Sequence, residues 1–102
     1  MSVSYGYLAK IQRAVRIKTA SADIQAELTD IVEECRADLE ALGVLPDRTR
    51  DENDYLVLGA VRCFARWKMA YDADEAAANM GDYMTLRDEL RRRGDYIGGA
   101  SP

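Results

Sequence analysis

The chain has no histidine, and this one absence removes the commonest general acid–base side chain and the commonest metal ligand together. Ser–His–Asp and Cys–His arrangements cannot form. Only two cysteines occur, Cys35 and Cys63, 28 positions apart and without the close CxxC spacing of a zinc or redox site. Neither GxxxxGK[ST] nor GxGxxG is present, so no loop is marked for cradling phosphate. No stretch approaches the ~20 apolar residues of a membrane span, and the N-terminus lacks the apolar run of a signal peptide. With 2 Pro, 7 Gly and no low-complexity segment, the composition is that of an ordered domain. The net charge of −4 gives no overall footprint for gripping nucleic acid. The expectation is a soluble protein of a reducing cytoplasm, with no catalytic residues, no cofactor and no metal.

What the chain does have is a helix that is apolar nearly all the way round. Between Tyr55 and Asp72, at 100° per residue, Leu56, Ala60, Cys63, Phe64, Trp67 and Tyr71 share one face, which Val57 and Val61 widen. Leu58, Ala65 and Met69 form a second face opposite, and only Arg62, Arg66 and Lys68 interrupt the girdle. Such a helix is either the buried centre of its own domain or packed on two partners. The second alternative makes Leu58 and Met69 an interface.

Periodicity and punctuation place three further helices, and the fold class is all-α: a small bundle of about four helices. The first runs from about Ser4 to Val15, with Tyr7, Leu8, Ile11, Ala14 and Val15 in a stripe. The second starts at Ser21 as N-cap, carries Ile24, Leu28, Ile31, Cys35, Leu39 and Leu42 on one face, and stops at Gly43. Residues 44–54, with Pro46, read as an exposed, flexible loop, and Asp51 as the cap of the third helix. Gly59 inside that helix suggests close approach by another backbone. Asp72 and Glu75 have capping-box spacing at the start of the fourth helix, whose stripe is Ala76, Met80, Tyr83, Met84 and Leu90. Residues 1–96 form a single domain, and residues 97–102 a flexible tail.

Charge is laid down in blocks. Residues 1–18 hold Lys10, Arg13, Arg16 and Lys18 with no acid, and residues 19–42 hold seven acids against Arg36 alone. Residues 55–71 are purely basic, residues 72–90 carry six acids against Arg87, and Arg91, Arg92 and Arg93 follow. Alternating blocks let neighbouring helices attract, within one chain or between chains. Glu27, Asp30, Glu33 and Glu34 lie away from the apolar stripe of their helix and read as a solvated face. Arg62, Arg66 and Arg87 are the cations to examine for an anion-binding role, against pairing with acids of neighbouring helices for the first two and a stem laid along the core for the third. Arg91–Arg93 also complement a helix C-terminus.

Four segments taken in order, YLAKIQRAVRIK, SADIQAELTDIVEECRADLEALGV, DENDYLVLGAVRCFARWKMAYD and MGDYMTLRDELRRRGDY, resemble the head-tail connector (adaptor) proteins of tailed phages and prophages over about residues 5–96. The most telling pieces are Asp54 through Tyr71 and the final Leu90 to Asp95-Tyr96. Tyr55 departs from the pattern, which has a proline or small residue after the acid, and the chain ends soon after Tyr96. The resemblance implies a structural virion protein, in the host cytoplasm during assembly, that forms a homo-oligomeric ring beneath the portal protein. Such a ring extends the channel through which DNA passes without sequence-specific binding, and offers a platform to a head-completion or tail protein. Leu58, Arg62, Arg66, Met69 and Arg91–Arg93 are then the expected subunit or portal interface.

Two other readings stand beside it. A helix-turn-helix DNA-binding regulator would use Leu39–Val44 as the end of a first helix and its turn. However, Val44–Asp54 is long for that turn and the next helix is apolar where base edges require polar side chains. A small helical anion-binding enzyme would need buried, convergent arginines.

Overall fold

Each of the four long helices begins at a side-chain oxygen that accepts from the backbone three residues on, satisfying one of the amides a helix start leaves unpaired. Ser4 accepts from the Tyr7 amide, Ser21 from Ile24, Asp54 from Val57 and Asp72 from Glu75, at 3.1, 3.2, 3.0 and 2.8 Å. In the computed structural model, which describes residues 3–98, these caps open α1 (Tyr5–Ala14), α2 (Ala22–Ala41), α4 (Tyr55–Lys68) and α5 (Ala73–Arg91). A single turn, α3 (Pro46–Thr49), lies between α2 and α4 with Pro46 in its first turn. No strand occurs among the described residues, and the fold is all-α.

Two boundary expectations need correction. Asp54, not Asp51, caps α4, because Asp51 is occupied in the preceding turn, where its carboxylate accepts from the Asn53 amide at 3.0 Å. The segment 44–54 is tied down and only partly exposed: Val44, Thr49 and Asp54 are buried, Thr49 donates to Glu40, and Arg50 bridges Glu33 and Glu40 at 3.2 and 3.3 Å. Gly43 ends α2 as expected, with φ +100°.

α4 is the centre of the bundle, packed mainly against α5 and also against α1 and α2. Val57, Leu58, Ala60, Val61, Phe64 and Ala65 are all buried, so both apolar faces of α4 are used within one copy. They meet Tyr7, Leu8 and Ile11 of α1, and Leu28, Ile31, Val32, Cys35 and Leu39 of α2, in one core. Gly59 is not there for a backbone: the nearest atom to an added Cβ is Leu86 Cδ1 at 3.9 Å, an ordinary side-chain contact.

The C-terminal turn closes over the α2–α4 connection. Tyr96 is buried, its carbonyl accepts from the Leu45 amide at 2.8 Å, and Ile97 packs on the core. Gly98, at φ +69°, sits against Leu45 so closely that a Cβ would come within 3.1 Å of it. Ile97, the first position of the expected tail, is thus partly buried against the core, and Gly98 beside Leu45 is exposed. The remaining tail positions, 99–102, lie outside the described residues.

Candidate interaction surfaces

Leu58 is 1% exposed and cannot meet another molecule, which removes it from the expected interface. Its face of α4 is covered within the chain. Met69, the C-cap of α4, is half-buried and packs against the same core. Arg66 is exposed and its Nε donates to the Ala14 carbonyl at 3.1 Å, capping the end of α1. Arg62 is half-buried and makes no ion pair within 4 Å among the described residues. Neither arginine pairs with an acid of a neighbouring helix. Arg91, Arg92 and Arg93 are exposed at the end of α5, paired with Asp88 and Glu89 one turn back and, for Arg93, with Asp95. Solvent screens these exposed pairs, so they contribute little to stability.

The three arginines examined for anion binding do not converge. Arg87 lies on α5, where its Nε donates to Asp38 Oδ2 at 2.8 Å. The same oxygen accepts from the Tyr83 hydroxyl at 2.6 Å, and the Cys35 thiol stands 3.8 Å from that hydroxyl. Burial pushes the Cys35 thiol up to about 12 and the Tyr83 phenol up as well, with the neighbouring Cys35 and Asp38 adding to the latter. Burial also pushes Asp38 up, but hydrogen bonds from Arg87 and Tyr83 and the charges of Arg87 and Lys68 together hold it below the usual carboxylate range. No member of this cluster is poised to exchange a proton near neutral pH, so it acts as a polar clasp between α2 and α5.

Above the clasp, Glu34, Asp38, Phe64, Trp67, Lys68, Tyr83 and Met84 line a groove of ≈ 190 Å³. The Lys68 ammonium stands 4.3 Å from the Trp67 ring centroid on its wall. Met84 and Met80, one turn apart on α5, are 42% and 38% exposed, and Tyr71, before α5, is 87% exposed. The expected α5 stripe thus divides: Tyr83 and Leu90 are buried, while Met80 and Met84 lie about 60° and 100° round the helix from Tyr83 and face outward. Only those two of the 19 residues of α5 are buried. A second exposed aromatic set, Tyr5 and Tyr55, stands at the starts of α1 and α4.

Arg36, read from the sequence only as the lone cation of an acidic block, is 1% exposed and sits in the core. Its guanidinium carbon lies 5.6 Å from the Tyr7 ring centroid, and Glu52 and Glu33 approach it only to 3.7 and 3.8 Å. Nε and Nη1 of Arg36 and the Tyr7 hydroxyl have no hydrogen-bond partner. The signal was in the spacing: Leu28, Val32, Arg36 and Leu39 fall on one side of α2. Burial pushes Glu52 up, but the hydrogen bonds from the Ser4 hydroxyl and amide and the charges of Arg36 and Lys10 together hold it below the usual carboxylate range.

Among the described residues, no group of three His, Cys, Asp or Glu side chains could hold a metal ion, and no helix is long and apolar enough to cross a membrane. Six of the 14 residues of α4 are buried, and Arg66 and Lys68 are exposed on it. Comparison with protein families, curated proteins and solved structures finds no match.

Proposed function

We propose that this chain is a non-enzymatic head-tail connector of a tailed phage or prophage, a virion protein that assembles as a homo-oligomeric ring under the portal protein. In that role it extends the DNA channel and offers a platform to a head-completion or tail protein. The family comes from the resemblance. The observation that supports assembly is the outward surface of α5: a 19-residue helix with two buried residues, bearing Met80 and Met84 beside the groove of Trp67 and Phe64. Met84 lines the groove and Met80 lies one turn before it; exposed methionines are adaptable contacts of binding surfaces.

The interface assigned here therefore differs from the one expected from sequence. It moves from Leu58, which is core, to Tyr71, Met80 and Met84. A ring requires two different surfaces of one copy to meet, and a net charge of −4 suits a conduit that must not hold the duplex by its phosphates. The test is co-purification with the portal protein of the same phage or prophage. The chain is expected to elute with tagged portal, and Met84→Asp to weaken that association while leaving the circular dichroism spectrum unchanged. Elution apart from portal, with the chain folded, contradicts the reading.

A further inference from the structure

Two clustered sets of charges make no ion pair among the described residues. After α1, residues 15–18 fold back as a hook: Gln12 Nε2 donates to the carbonyls of Ile17 and Lys18 at 3.0 and 3.2 Å, and Arg16 is held at φ +63°. The hook and the end of α1 enclose an open cup of ≈ 480 Å³, lined by Ala9, Gln12, Arg13, Arg16, Ile17 and Lys18. Its three cations are exposed, and none makes an ion pair within 4 Å among the described residues. Arg66, which caps α1 at Ala14, adds a fourth positive charge nearby.

On α2, Asp23, Glu27, Asp30 and Glu34 recur in steps of four, three and four residues, which places them within about 60° of one another in a row about 16 Å long. All four are exposed, and none is ion-paired among the described residues. Half of the 14 cations of the chain are already placed against acids. Arg36, Arg48, Arg50, Arg87 and Arg91–Arg93 each meet a carboxylate. Three exposed, unpaired cations line one cup and four exposed, unpaired carboxylates form one row, and the row ends at Glu34 on the rim of the Trp67–Met84 groove.

We infer that the cup of one copy receives the α2 carboxylate row of a second copy, Arg13, Arg16 and Lys18 meeting Asp23, Glu27, Asp30 and Glu34. The contact joins two different surfaces, so each copy keeps a free cup and a free row for further copies. It deepens the connector reading and rests on it only for the premise that copies stand side by side. A phosphate backbone is the weaker occupant, because a single three-cation cup on a chain of net charge −4 offers few phosphate contacts.

The test couples carboxylates to amines with a zero-length carbodiimide in an equal mixture of ¹⁴N- and ¹⁵N-labelled protein. The expected products are mixed-isotope crosslinks from Lys18 or Lys10 to the α2 row, reduced at least about fivefold near 0.5 M NaCl, where the screening length is about 4 Å. Arg13→Gln with Lys18→Gln, and Glu27→Gln with Asp30→Asn, each alone lose them. Mixing the two variants restores crosslinks between Lys18 of one and the row of the other. Crosslinks of a single isotope only, crosslinks indifferent to salt and to both variants, or their displacement by duplex DNA would overturn the contact. A portal-bound collar that forms equally well from both neutralised variants would overturn it while leaving the connector reading standing. Mixed-isotope crosslinks with no collar would support the contact and remove that reading.

Discussion

The Tyr96 hydroxyl donates to Asp54 Oδ2 at 2.6 Å, while the other oxygen of the same carboxylate accepts from the Val57 amide and starts α4. One buried side chain thus serves as helix cap and as anchor for the C-terminal turn, and both residues are under 10% exposed. These are the same two positions, the acid leading the apolar helix and the final Asp-Tyr, that carry most of the resemblance.

Tyr96→Phe removes a hydrogen bond to a buried carboxylate and is expected to cost about 1.5–3 kcal/mol, read as a lowered urea midpoint at unchanged slope. Asp54→Ala should cost more, since the cap is lost and the phenol is left unpaired. Equal stability of Tyr96→Phe and the parent would show that the turn is not anchored there.

At high pH, burial is the leading reason that the folded chain holds protons on Cys35, Tyr7 and Tyr96 up to about 12, above the ordinary values of 9.0 for the thiol and 10.0 for the phenols. The folded state then binds more protons than the unfolded state in that window. Stability is fully present below pH 9 and falls as pH rises toward 12. Urea midpoints at pH 8 and 11 check this, the second being lower. At low pH the sign reverses for Asp38 and Glu52, whose folded values lie below 3.8 and 4.5. Their contribution is fully present above 3.8 and 4.5 and is lost as pH falls from there through the lower folded values, so Asp38→Asn should flatten the acid limb of the stability curve.

Arg36 is buried with two nitrogens unpaired and its acids beyond hydrogen-bonding distance. Arg36→Met is therefore expected to be near neutral or mildly stabilising, because the acids it leaves, Glu33 and Glu52, are 34% and 29% exposed and stay solvated. Glu52→Ala should destabilise by about 1–3 kcal/mol, because it leaves the guanidinium less compensated and frees Ser4. Thermal melts of both variants decide the point; a large loss in Arg36→Met would show the charge to be a structural keystone.

Leu58→Ala opens a cavity in the middle of α4 and is expected to cost about 2–5 kcal/mol. Leu58→Asp should unfold the chain by circular dichroism. A folded Leu58→Asp that fails only to assemble would return this residue to an interface.

Helix order, caps at Ser21 and Asp72 and the stop at Gly43 were legible because each rests on local chemistry within three or four residues. The fate of the second α4 face was not. Periodicity shows that Leu58 and Ala65 are apolar, but whether α1, α2 and α5 cover them depends on chain path, which period does not encode. The same limit hid the groove, since Glu34, Trp67 and Met84 come from three helices. Arg36 was missed for a different reason: its charge was counted with its neighbours in sequence, whereas its position on the helix put it among Leu28, Val32 and Leu39.

Electron microscopy of portal protein co-expressed with this chain is the decisive measurement. An added collar coaxial with the portal is expected, in which copies stand side by side around an open channel and α5 lies against a neighbour. Bare portal rings, in preparations where the chain is soluble and helical, would contradict it.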